Sequence, residues 1–270
     1  GRISSWQMPL QVNRMSIIGR GFLLFVLLAE KYREVYDIDA NMKEVFGMTS
    51  YSFMATGFAL WLMTNGILDY ELLVEIEPLK QIVTLKSQKQ FLTLSSGTAK
   101  DYRTLMRGAD WCNVKKLNEI YGLDAFTRMP AIYCERGIKL RHGTYIVPQP
   151  KYLLDRASSG MFYLLADFER ERAMKSGKHG ENPFRKTFGE IYRDYVALQL
   201  DSSSSTHTFI DLDKELFVYS GKKPDFALIK DNICVLFEVK TSLLKIEART
   251  YFEEDTLRSE VQAGSFKKAI

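Results

Sequence analysis

The residues best suited to chemistry lie close together near the end of the chain, in Pro224 to Lys240, PDFALIKDNICVLFEVK. Side chains alternate along a strand. In Ile233 to Lys240 this puts Cys234, Leu236, Glu238 and Lys240 on one face and Ile233, Val235, Phe237 and Val239 on the other. Glu238 and Lys240 thus stand side by side at the far end of an apolar strand. A turn at Asp231-Asn232 brings Asp225, at the start of the preceding strand, alongside them. Two carboxylates and an amine then converge at one sheet edge, the set that phosphodiester hydrolysis uses. Hard oxygen ligands hold Mg²⁺, the metal polarises the phosphate and lowers the pKa of its water, and an ammonium group stabilises developing negative charge. The same residues allow a plainer reading, a surface hairpin whose Glu–Lys pair contributes less than ~1 kcal/mol.

Elements able to position this group surround it. Phe184, Phe188, Ile191, Tyr195 and Leu198 fall on one side of a helix predicted over Phe184 to Leu200. Strands are expected at Glu215 to Tyr219, Phe226 to Ile229 and Ile233 to Val239, joined by turns at Ser220-Gly221 and Asp231-Asn232. A helix is expected from Leu257 to Ala269. The order is helix, three strands, helix.

Pro224-Asp225 followed by Glu238-Val239-Lys240 resembles the signature of the PD-(D/E)xK, or restriction-endonuclease-like, nuclease superfamily. The resemblance covers about residues 183 to 270. It implies an αβββα core with a mixed sheet, and metal held by Asp225, Glu238 and the carbonyl of Val239. It also implies catalytic roles for Asp225, Glu238 and Lys240, with Mg²⁺ as cofactor and Mn²⁺ as a substitute. Many members place a glutamate on the first core helix, where Glu190 is the candidate, although the family's aromatic–Glu pairing would align Arg193 there. Gln262, followed by Phe266, is similar to a glutamine–aromatic motif of exonuclease-like members, with phenylalanine in place of tyrosine. DNA is the expected partner, contacted by Arg185, Lys186, Lys222, Lys223 and Gln262. The activity implied is that of a metal-dependent deoxyribonuclease in bacterial defence or DNA processing. The rival readings are a non-catalytic nucleic-acid-binding module and a protein-interaction subunit of the same fold. Because the family continues with another strand beyond this point, the core is expected to be incomplete at Ile270.

The remainder of the 270 residues reads as an α/β protein with a mainly helical first part. Residues 1–150 form the expected recognition or assembly region, serving substrate choice, homo-oligomerisation or docking of a partner subunit. Residues 151–182 form a connecting helix and loop, with KSGKHGENP as the linker. Helices are expected at Phe22 to Tyr36, Phe53 to Met63, Lys100 to Met106, Cys112 to Tyr121 and Lys151 to Phe168. A hairpin is expected from Ala131 to Cys134 and Ile138 to Val147.

Hydrophobic residues at 46% and charged residues at 26% suit a soluble globular chain. A net charge of +4 is too small to argue nucleic-acid binding by itself. The run from Gly21 to Ala29 is far short of the roughly 20 residues that a bilayer needs, and Phe53 to Leu68 reads as a buried helix, so no membrane span is expected. Cys112, Cys134 and Cys234 fit no disulfide or ligand spacing, which favours buried thiols and a reducing, cytoplasmic compartment. His142, His179 and His207 share no metal-ligand spacing.

Overall fold

The computed structural model describes residues 14–69, 79–107, 124–134, 143–177, 182–202, 206–219, 221 and 223–241. The chain divides into two compact units, Gly1–Phe184 and Arg185–Ile270. The expected helix Cys112 to Tyr121, residues Ile138 to Arg141 of the expected hairpin, and the expected helix Leu257 to Ala269 lie outside the described residues.

The first unit is built on a helix that is apolar on every side. In α3 (Ser50–Met63), Phe53, Met54, Ala55, Thr56, Gly57, Ala59 and Leu60 are all buried, which marks a helix enclosed by others. The side chain of Thr49 caps it, accepting from the Ser52 N–H at 3.1 Å. Ahead of it lie α1 (Arg14–Phe22) and α2 (Ile38–Phe46). Helix α1 continues through a π-helical turn at Leu23–Leu27 into a last turn at Leu28–Glu30. Asp37 caps α2 by accepting from the Ala40 N–H at 2.8 Å, and Gly47, at φ 71°, ends it in the left-handed conformation.

Next come β1 (Ile67–Asp69), α4 (Leu79–Ile82), α5 (Leu85–Ser95), β2 (Ser96–Gly97), α6 (Ala99–Arg107), α7 (Asp124–Arg128), β3 (Ala131–Tyr133) and β4 (Thr144–Ile146). Then follow α8 (Lys151–Ala157) and α9 (Gly160–Lys175). Helix α8 crosses α3 at a point where only small residues fit: a Cβ on Gly57 would lie 2.4 Å from that of Ala157 and 2.9 Å from the ring of Phe91. Phe53 and Phe91 pack within this core at 4.7 Å between centroids, their planes tilted by 45°.

The strands pair in the order β1-β4-β3-β2, antiparallel except for the parallel β2–β3 pair. The first part is therefore helical with a small mixed sheet, and the contributions of β1 and β2 were not expected from their short sequences. As the expected hairpin requires, β3 and β4 pair antiparallel, with the second strand described only at Thr144–Ile146; residues 135–142 between them lie outside the described residues. The single helix expected over Lys151 to Phe168 is two helices, broken at Ser158-Ser159. Both fall in the first unit, and the change of unit comes within the next helix.

The second unit opens with α10 (Pro183–Ser202), then β5 (Thr208–Asp211), α11 (Leu212–Glu215), β6 (Phe226–Lys230) and β7 (Ile233–Phe237). The three strands form an antiparallel sheet in the order β5-β6-β7. This corrects the expected first strand. Thr208–Asp211, and not Glu215 to Tyr219, pairs with β6, with Asp211 opposite Phe226. Asp211 then accepts from the Asp213 N–H at 3.2 Å and starts the short helix α11. The β-forming residues Leu216 to Tyr219 follow as turns, with Phe217 and Val218 about four-fifths exposed at 79% and 81%. Cys134 is buried as expected, whereas Cys234 is exposed on β7, which corrects the expectation of a buried thiol there; Cys112 lies outside the described residues.

Among the described residues no single helix is long and apolar enough to cross a membrane; one pair bent by 66°, Ile38–Phe46 with Ser50–Met63, meets the requirement by length and composition only.

Candidate functional site

The hairpin β6–β7 turns through Asp231-Asn232 with Lys230 paired to Ile233, and Asp231 takes a positive φ of 50°. A short polar residue tolerates this conformation better than most. The tight turn fixes the register, so Phe226 pairs with Phe237 at the open end. Asp225 and Glu238 are the next residues beyond that pair. The Asp225 N–H donates to the Phe237 carbonyl at 2.9 Å, and the Asp225 carbonyl accepts from the Leu212 N–H at 3.1 Å. Asp225 is thereby bound through its backbone to both flanking strands' ends.

Its carboxylate is held as firmly. Oδ2 accepts from the Val239 N–H at 2.6 Å, and Oδ1 faces Arg193 Nε at 3.3 Å. Glu238 and Lys240 form their expected ion pair, through Oε1 and Nζ. The regular ladder ends at Phe237, so these two residues extend β7 as irregular chain and not as the strand expected to Val239. The hairpin thus brings Asp225, Glu238, Val239 and Lys240 to one end of the sheet, with the carboxylates of Asp225 and Glu238 given to different cations.

Helix α10 contributes Arg193. Gly189 and Arg193 are four residues apart and so share one helix face. A Cβ on Gly189 would come within 3.7 Å of Thr241 Oγ1, and Arg193 reaches Asp225, so this face runs past the end of the hairpin. Glu190 is turned from Gly189 by roughly 100°. It is exposed, and the helix residue that touches Asp225 is Arg193.

Arg193 is the hub of the site. Its Nη2 lies 2.7 Å from Asp211 and 2.9 Å from Asp213, and its guanidinium carbon stands 4.6 Å from the centroid of the Phe226 ring. Such a position over an aromatic face is itself favourable. Burial works against the Arg193 charge, but the hydrogen bond to Asp211 and the charges of Asp211, Asp213 and Asp225 outweigh it and raise its pKa. Burial likewise opposes ionisation of Asp211. Hydrogen bonds and charge from Arg193 and Lys214 prevail and hold its carboxyl below the usual carboxylate range.

The remaining expected contacts divide. Lys223 is largely covered; its Nζ donates to the Leu216 carbonyl at 2.9 Å and lies 3.4 Å from Asp213. Arg185 and Lys186 are exposed in the first turn of α10. Lys222 and Gln262 lie outside the described residues.

Sequence reasoning missed Asp211 and Asp213. The signal was Asp211-Leu212-Asp213-Lys214-Glu215, a capping aspartate with acidic residues in the first turn, which is how a helix begins. The alternating Thr208-Phe209-Ile210-Asp211 ahead of it marks the strand.

Asp225 and Glu238 supply hard carboxylate oxygens of the kind that bind Mg²⁺. In this arrangement, however, each already has a cationic partner, and among the described residues no group of three or more His, Cys, Asp and Glu side chains is placed to hold a metal ion. The donor chemistry fits a divalent ion, while the counter-ions compete with it. Comparison with known proteins adds no assignment: no family model, no curated protein and no solved structure matches the chain.

Proposed function

We propose that the second unit is the core of a PD-(D/E)xK-type nuclease that hydrolyses phosphodiester bonds in DNA with Mg²⁺ or Mn²⁺. The observation that carries the reading is the clamping of Asp225 by the Val239 N–H at 2.6 Å beside the Glu238–Lys240 pair. Asp225, Glu238 and the Val239 carbonyl are the groups that would hold the metal. When bound, the metal supplies charge neutralisation at the phosphate and a more acidic water.

The protein's own part is positional. The two-residue turn and the Asp225 backbone bonds fix the backbone that carries the Asp225 carboxylate beside the end of β7, which leaves mainly side-chain rearrangement to be done on binding. Lys240, paired with Glu238, stands ready to orient the attacking water or to meet charge on the phosphoryl oxygens. Arg185 and Lys186 at the head of α10 offer charge to the nucleic-acid backbone, a contribution that weakens with added salt. The first unit supplies substrate choice, assembly or docking of another subunit.

The test is cleavage of labelled single- and double-stranded DNA by the full chain with Mg²⁺ or Mn²⁺. Metal-dependent cleavage that falls by at least about a hundredfold in both Asp225→Ala and Lys240→Ala is the expected result. Absence of cleavage, or cleavage unchanged in folded variants, removes the assignment. One observation favours a second reading, a module that binds nucleic acid without cutting it: Arg193 and Lys240 already neutralise Asp225 and Glu238. Such a module binds DNA equally well with and without divalent metal.

A further inference from the structure

Four carboxylates gather around the candidate site, Asp211, Asp213, Asp225 and Glu238, and each faces at least one basic group. Arg193 bridges Asp211, Asp213 and Asp225, Lys214 lies 3.2 Å from Asp211, Lys223 lies 3.4 Å from Asp213, and Lys240 pairs with Glu238. The Lys214 side chain is 80% exposed and touches Asp211 at the edge of the group, whereas the Arg193 side chain is only 17% exposed and spans three carboxylates. Its planar fork suits several carboxylates at once, which a lysine does not.

Resting on the nuclease reading above, we propose that Arg193 is a built-in competitor for the divalent cation at Asp225. A cation arriving at Asp225 meets an oxygen pair already committed, Oδ2 to the Val239 N–H and Oδ1 to the guanidinium. It also meets the positive charge of Arg193 at close range. Binding of a cation there would therefore draw Asp225 away from Arg193, which would retain Asp211 and Asp213 as partners. The 3.3 Å contact to Asp225 is the longest of the three that Arg193 makes, and so the one that yields with least loss. Arg193 thus sets the metal concentration at which the site loads, and keeps Asp225 from being an unpaired charge when it is not loaded.

Mn²⁺ titration of the full chain without DNA, followed by electron paramagnetic resonance, tests this. Arg193→Gln binds Mn²⁺ on the order of tenfold more tightly than the unaltered protein, the size expected for loss of one partly exposed competing charge. Arg193→Lys, which keeps the charge and loses the fork, falls between the two. Lys214→Gln stays close to the unaltered protein, and Asp225→Asn abolishes the binding. Circular dichroism and melting establish that each variant is folded; if Arg193→Gln is not, Arg193→Lys decides alone. Binding that depends on Asp225 but is no tighter in the Arg193 variants overturns the competitor role and leaves the metal site standing. An equal gain in Lys214→Gln overturns it too, since net charge alone would then account for the change. Absence of any Asp225-dependent binding, in the variants as in the unaltered protein, sinks both this inference and the nuclease reading.

Discussion

Arg156 sits in α8 with 6% of its surface exposed, and the Nη2 that donates to the Leu94 carbonyl at 2.7 Å is close to the C-terminal end of α5. A cation there complements the helix dipole, but Nε has no hydrogen-bond partner among the described residues. Burial, reinforced by the charge of Arg128 and opposed by Asp167, brings the guanidinium pKa down to about 10. The unfolded chain holds that proton more tightly, so at neutral pH the charge costs the folded state about 3 kcal/mol. The hydrogen bond returns roughly 1–2 kcal/mol. Arg156→Met is therefore expected to raise stability by about 1–2 kcal/mol, read as a higher denaturant midpoint at unchanged slope. The same scale shows what single residues disclose in a sequence. Asp225, Glu238 and Lys240 were legible because a two-residue turn and a period of two fix their neighbours without knowledge of the rest of the chain. The pairing of Arg193 with Asp211 was not, because an ion pair across eighteen residues leaves no spacing signal.

At the scale of elements, the crossing of α3 and α8 depends on Gly57. Alanine has the better helix propensity by about 1 kcal/mol. A methyl group at 2.4 Å from the Ala157 Cβ, however, must push two helices apart, and overpacking of this kind costs about 1–3 kcal/mol. The clash prevails, and Gly57→Ala is expected to lower the melting temperature. Removing a cap acts mainly through the helix end: Asp37→Ala leaves the Ala40 N–H unpaired at the start of α2 and also loses the ion pair with Arg33 at 2.9 Å, and is expected to cost about 1 kcal/mol in denaturant titration. Elements were legible where their pattern was local. The helix α10 and the strands β6 and β7 follow from apolar spacing and turn residues. The run Glu215 to Tyr219 misled because β-forming composition describes a residue's fit to a pleated surface and not the presence of a partner. The place beside β6 belongs to Thr208–Asp211, and Leu216 to Tyr219 are left as turns.

At the scale of the whole molecule, acid acts on the ion pairs of the second unit. Among its described residues Phe188, Ile191, Phe226 and Ala227 are buried, and Arg193 pairs with Asp211, Asp213 and Asp225. The Asp211 carboxyl has a folded-state pKa below its unfolded value. Its contribution is thus present above about pH 4 and is lost as the pH falls through the folded value. All three tryptophans, Trp6, Trp61 and Trp111, belong by sequence to Gly1–Phe184, so a shift in their emission is the expected mark of a change in the first unit. On acidification below about pH 4, far-ultraviolet circular dichroism is expected to lose signal before tryptophan emission shifts. Coincident changes would show that the units unfold as one.

The short turn at Asp231-Asn232 also has a consequence for the order of folding. The Asp225–Val239 contact closes over 14 residues and the Arg193–Asp225 contact over 32, whereas in the first unit Ile67 must find Ile146. Loop closure over short separations is fast, and hairpins form in about 1–10 μs, while pairings distant in sequence wait on a larger entropy loss. In refolding from denaturant the Asp225 hairpin is therefore expected to be in place before the sheet of the first unit has closed.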